Sequence, residues 1–203
     1  VKALMAACGS ISCNAGKTLS SLPVPCYDVV TASAEAAARS SKTGKIGLAA
    51  TEATVKSGRF AGEIEKRTRQ AVTAVPCPRL APMVESGMAP DDPALAAAVA
   101  EYCKPFLRDG VDTVVLGCTH YPLAAAAFAA VLGEGVTLID CAAEAAKAAA
   151  EALKEAHLLA GGTAPAAPRY YFTALPPQPA RLLARRLLGE DFTPQLAEPG
   201  DKG

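Results

Sequence analysis

The chain has 203 residues, of which 51% are hydrophobic and 20% charged, enough to fold around a sizeable core without disulfides or metals. Twenty basic and twenty acidic side chains cancel, so the basic face that a nucleic-acid binder needs is not expected. No apolar run approaches the ~18 residues of a membrane helix, and no charged-then-apolar leader opens the chain, so the expected location is cytoplasmic, with one large domain or two small ones.

In chain order, residues 2–7 read as a strand ending at Cys8. A second strand follows at 24–30, then an Ala-rich helix at 33–41 and a strand at 46–51. A helix is predicted over 54–70, a proline break over 76–82, and a second break over 89–93. Next come a helix at 93–107, a strand at 111–116 and a helix at 121–132. The series closes with a strand at 136–139, a helix at 142–159, a glycine- and proline-rich loop at 161–168, a strand at 170–172, a helix at 179–188 and a short polar end at 198–203. Strand and helix in alternation imply an α/β fold with mostly parallel sheets covered on both faces. In such sheets ligands sit beyond the carboxyl ends of the strands.

Seven cysteines, at 8, 13, 26, 77, 103, 118 and 141, make an odd count with no Cys-x-x-Cys pair. Free thiols are therefore expected, with neither a disulfide framework nor a structural metal site. Residues 1–8 align without gaps on residues 111–118, each an apolar strand that ends in a small residue and then Cys, followed by a hydroxyl residue at Ser10 or Thr119. A duplicated half would place two doubly wound lobes around an interlobe cleft. The expected division is residues 1–30 with 142–203 in one lobe and 31–141 in the other.

Several constellations could carry chemistry. Cys8 and Cys118 each sit between a strand end and a predicted helix start, where unpaired N–H groups favour a thiolate. Alone, each reads more readily as an inert buried thiol; the matched pair favours chemistry. His120 lies two residues from Cys118 and could perturb it or bind a carboxylate, whereas His157 reads as a surface residue late in a helix. Glu85 follows a proline-rich turn and reads as a loop carboxylate. Thr51 and Thr54 could cap a helix or receive a carboxylate. Residues Ile11-Ser12-Cys13-Asn14-Ala15-Gly16-Lys17-Thr18 imitate a phosphate-binding loop but have Ile11 where that loop needs glycine, so a nucleotide site is disfavoured.

With these residues quoted, the chain resembles the glutamate racemases. The most specific match is Val114-Val115-Leu116-Gly117-Cys118-Thr119-His120-Tyr121-Pro122-Leu123. Ala7-Cys8-Gly9-Ser10 stands where the family has Ala-Cys-Asn-Thr. The blocks at Gly44–Ser57 and from Cys77 through Glu85 match as well, and the resemblance runs to about Gly189. It implies cofactor-independent interconversion of L- and D-glutamate, supplying D-glutamate for peptidoglycan. Cys8 and Cys118 would be the two acid/base groups, assisted by His120 and Glu85. Gly9, Ser10, Thr51, Thr54, Thr119 and His120 would bind substrate. The implied partner is the small-molecule substrate, with no nucleic acid, no membrane, no metal, and a homodimer as the possible assembly. The alternatives are a related racemase acting on aspartate and an inactive binding module of the same fold. The family opens with a strand, an Asp-Ser-Gly turn and a Tyr-Gly strand, to which nothing here corresponds. The chain therefore reads as a fragment or a mis-started gene product.

Overall fold

The computed structural model describes residues 1–159, 170–172, 178–188 and 194–196. The predicted loop 161–168 and polar end 198–203 lie outside the described residues.

A four-stranded parallel sheet is built from β3 (Ile46–Ala50), β4 (Thr73–Pro76), β5 (Thr113–Leu116) and β6 (Thr137–Asp140), in the order β4-β3-β5-β6. A smaller parallel pair is formed by β1 (Leu4–Ala6) and β2 (Cys26–Asp28). A third pair joins β7 (Tyr170–Phe172) to β8 (Pro194–Leu196), also in parallel. Between β1 and β2 lie α1 (Gly9–Asn14) and α2 (Gly16–Ser20).

Side-chain alternation along the large sheet builds two cores. Ile46, Leu48, Ala50, Val115 and Ile139 point to one face, where α3 (Val29–Ser40), α5 (Arg59–Thr68) and α9 (Cys141–Glu155) supply Val30, Ala34, Phe60, Ile64 and Ala145. Ala49, Val114 and Leu116 point to the other, covered by α6 (Leu80–Glu85), α7 (Pro93–Asp109) and α8 (Ala125–Leu132) through Leu80, Val99, Phe106 and Phe128. β3 is buried along its whole length because both of its faces are covered. From β3 the chain crosses to β4 on one side and reaches β5 on the other. The crevice between the carboxyl ends of β3 and β5 is therefore the topological switch point, where ligands of open α/β sheets bind.

Local chemistry explains where the elements depart from the sequence reading. Residues 29 and 30, expected to end a strand, begin α3, because the Asp28 carboxylate accepts from the Val30 and Thr31 N–H groups and caps the helix. The helix expected over 54–70 is two helices, α4 (Glu52–Ser57) and α5, broken at Gly58, whose φ of 67° is left-handed. The segment 121–132 starts as a 3₁₀ turn, Tyr121–Ala124, and becomes α-helical only at Ala125. Strand β4 falls where no strand was expected. Glu85 is the last residue of α6, not a loop residue. Residues 11–14 are helical, so the imitation phosphate loop has no loop to offer there. All seven cysteines are free. No described helix is long and apolar enough to cross a membrane.

Asp112, just before β5, ties the loop after α3 to the sheet. Its carboxylate accepts from Ser41 Oγ at 2.6 Å, Lys42 N at 2.8 Å, Thr43 N at 2.7 Å and Thr43 Oγ1 at 2.9 Å. Burial pushes the carboxyl up, but the bonds from Ser41 and Thr43 outweigh it and hold the pKa down at about 2. A depressed folded pKa contributes stability that is complete above the unfolded value and is lost as the pH falls toward the folded one. Asp112→Ala is expected to cost about 1–2 kcal/mol at neutral pH. The gap between variant and parent should close between about pH 4 and pH 2. Urea melts across that range check both the size and the window.

Candidate active site

Two sequence-adjacent pairs meet at the switch point. Cys8 follows β1 and stands at the N-cap of α1 with an extended backbone, and its carbonyl accepts from Ser12 N at 2.8 Å. Cys118 follows β5 and precedes the 3₁₀ turn. Gly9 and Gly117, their neighbours, bring the two segments into contact: a Cβ on Gly9 would lie 2.3 Å from the Gly117 carbonyl oxygen. The first turn of α1 therefore rests directly on the carboxyl end of β5.

Hydroxyl groups line the β3 side. Ser10 Oγ lies 2.9 Å from Thr51 Oγ1 and 3.4 Å from Thr54 Oγ1, and the two threonine oxygens are 3.0 Å apart. Thr51 Oγ1 also accepts from Thr54 N at 3.2 Å and caps α4. Capping and clustering are thus combined in one residue. Thr54 is buried, while Ser10 and Thr51 are partly exposed. A group of exchangeable hydroxyl donors and acceptors suits the carboxylate or amine of a small polar ligand.

On the β5 side a three-residue chain of contacts leads outward. Cys118 Sγ is 3.7 Å from His120 Nδ1, and His120 Nε2 is 2.9 Å from Glu85 Oε1. With the Nε2 proton donated to Glu85, Nδ1 is left as an acceptor facing the thiol. The Glu85 side chain is 51% exposed, so the outer end of this chain reaches solvent. Burial pushes the Cys118 thiol up from its ordinary value; the backbone N–H of His120 pulls it down, and charge on Cys8 or Glu85 pushes it up again. Burial therefore works against a thiolate at Cys118.

Sequence reasoning passed over the residue that holds this segment in place. Tyr121 is fully buried and donates its hydroxyl to the Cys77 carbonyl at 2.7 Å, pinning the turn that carries His120. The Cys77, Cys103 and Cys141 thiols are buried and pushed up to about 12, which leaves them inert. Thr119 is half-buried beside Cys118. His157 lies beyond α9, exposed, with a positive φ of 55°. Among the described residues no group of three or more His, Cys, Asp or Glu could hold a metal ion.

A sequence profile for Asp/Glu/Hydantoin racemase matches residues 1–149, nearly three quarters of the chain and the whole of the site just described. The chain belongs to this racemase family. Relatives matched over most of the chain agree. The glutamate racemase of Mycobacterium ulcerans is 35% identical over 194 residues, covering 95% of this chain and 71% of that protein. Among solved structures, a glutamate racemase isoform from Bacillus anthracis superposes with a TM-score of 0.89 at 30% identity, covering 98% of this chain and 74% of the other. The enzyme from Francisella tularensis, solved in complex with D-glutamate, gives 0.84 at 29% identity and covers 98% and 73%. The fold is thus the two-lobed α/β fold of these racemases.

Proposed function

We propose that the chain interconverts L- and D-glutamate through Cys8 and Cys118, without a cofactor. The observation that carries this reading is the contact of the Cys8–Gly9 and Gly117–Cys118 segments at the switch point. Inversion at a carbon bearing hydrogen needs a base on one side and an acid on the other. One thiolate takes the α-proton, forming an S–H bond as the Cα–H bond breaks, and the electron pair passes to the substrate's α-carbon and carboxylate. The opposite thiol then delivers its proton to the other face. The two sulfurs end with exchanged protonation states, and the reverse reaction or solvent restores them.

The substrate's polar groups are held by Gly9, Ser10, Thr51 and Thr54 on one side and by Thr119 and His120 on the other. Neutral His120 accepts the Cys118 proton at Nδ1, and Glu85 stabilises the resulting imidazolium. The two lobes are residues 1–30 with 142–203 and residues 31–141. The separate β1–β2 and β3–β6 sheets support this division, although α9, assigned to the first part, packs on the large sheet of the second and against α3. Glutamate is favoured over aspartate because the curated relatives at about 35% identity are named glutamate racemases. A cytoplasmic role supplying D-glutamate for peptidoglycan follows from that substrate.

Incubation with L-glutamate in D₂O tests the reading. Loss of the α-proton NMR signal together with the appearance of D-glutamate is expected, and an unchanged spectrum at high enzyme concentration would rule the activity out. L-Aspartate in the same assay separates the two substrates.

The relay makes its own prediction. His120→Asn is expected to lower kcat/KM by about 10²-fold. The loss should be equal in both directions, because the equilibrium constant of a racemisation is one. Without His120, Cys118 must ionise unaided from its raised pKa, so the remaining activity should climb with pH further into the alkaline range than that of the parent. Polarimetric rates from pH 6 to 10 measure both effects.

A further inference from the structure

We propose that Arg59 is a positioning residue for Cys8, holding helix α1 so that the Cys8 thiol faces the Cys118 side of the site. The proposal rests on the two-thiol reading above. Arg59 is the first residue of α5, immediately after the left-handed turn at Gly58. Its guanidinium reaches away from its own helix to two elements of the β1–β2 region. Nη2 contacts Asp28 Oδ2 at 2.5 Å, and Nη1 donates to the Ser12 carbonyl oxygen.

Both contacts bear on Cys8. Ser12 lies one turn along α1, where its N–H bonds the Cys8 carbonyl and its hydroxyl donates to the Ala6 carbonyl at 3.0 Å. Ser12 is fully buried, so its carbonyl has little access to water as a substitute partner. Asp28 pairs with Arg59 through Oδ2 and caps α3 through Oδ1, which fixes the carboxylate from two sides. The near end of α1 is held to β3 and α4 by Ser10. Arg59 holds its far end. With both ends tethered, the helix cannot roll, and Cys8 at its N-cap keeps one orientation. A lysine has a single charged nitrogen and cannot satisfy the carbonyl and the carboxylate in the same planar geometry.

The test uses Arg59→Ala and Arg59→Lys in the full chain, with three readouts. The first is steady-state racemisation: kcat should fall at least about tenfold in Arg59→Ala with KM changed less than about threefold, and Arg59→Lys should recover part of the loss. The second is the pH dependence of iodoacetamide alkylation at each cysteine, followed by peptide mass mapping. Arg59→Ala should alter the rate profile of Cys8 and leave that of Cys118 unchanged. The third is thermal unfolding, which confirms that both variants are folded. A parallel change at Cys8 and Cys118, or full activity with an unchanged Cys8 profile, would overturn the proposal. Alkylation does not depend on the substrate. A shifted Cys8 profile in a chain that fails to exchange glutamate would sink the racemase reading and leave the positioning role intact.

Discussion

Cys118→Ala and Cys8→Ala are each expected to lose racemisation by about 10³-fold or more, with the fold intact. In the proposed mechanism, removing either sulfur leaves one face of the α-carbon without a proton donor or acceptor, and the buried cysteines near the site cannot take over. Cys77 and Cys141 are completely buried with thiols pushed up to about 12, so neither can supply a thiolate at neutral pH. The cost in stability is small by comparison. Cys118 is 8% exposed, and trimming a thiol to a methyl group leaves a void of one atom worth about 1 kcal/mol. Circular dichroism should therefore match the parent while polarimetry shows no inversion. Under the proposed two-thiol mechanism, the double variant should be no slower than the worse single one. A single variant that racemises within about tenfold of the parent would exclude the two-thiol mechanism.

Gly9→Ala should be the second most damaging single change, although it adds only a methyl group. The new Cβ would lie 2.3 Å from the Gly117 carbonyl oxygen and 3.3 Å from Thr54 Oγ1. The first neighbour is backbone at the end of a buried strand and cannot rotate aside. Helix α1 must then lift off β5, at a cost of about 1–3 kcal/mol and roughly 2–10 °C in Tm. The same movement displaces Cys8 from Cys118, and an ångström of misplacement costs about 10²-fold in rate. Gly62→Ala is the matched control. Gly62 lies inside α5, and a Cβ there meets nothing within 4 Å, so alanine should stabilise the helix by about 0.5–1 kcal/mol with activity unchanged. Equal behaviour of the two variants would show that the Gly9–Gly117 approach has no functional weight. The asparagine that the resemblance leads one to expect at position 9 would place a Cβ at the same point, so glycine here permits a closer approach than that residue would.

The reach of the sequence follows the range of the interactions. Alternating apolar runs and Ala-rich stretches marked the parallel α/β architecture, because burial on both faces of a strand leaves a contiguous signature in β3 and β5. Cys118, Thr119 and His120 could be read together because they are consecutive, and the match of Val1–Cys8 to Val111–Cys118 pointed to paired strand ends. Short-range chemistry misled where two local signals competed. Val29-Val30-Thr31 looks like strand until the Asp28 cap is seen, and 54–70 looks like one helix until Gly58 turns left-handed.

What joins residues distant in the chain was settled only by the tertiary structure. The β4-β3-β5-β6 order puts Thr51 and Cys118 on neighbouring strand ends, and the packing of α6 against the 3₁₀ turn brings Glu85 to His120 across 35 positions. Nothing local marks Arg59 as a tether of α1, Tyr121 as the anchor of the His120 turn, or Asp112 as the clamp on the loop after α3. Each depends on a partner 31 to 71 residues away. Such contacts form only after the strands have chosen their neighbours. Identity and spacing can therefore nominate candidate residues, while strand order and helix packing decide that the segments carrying them come together.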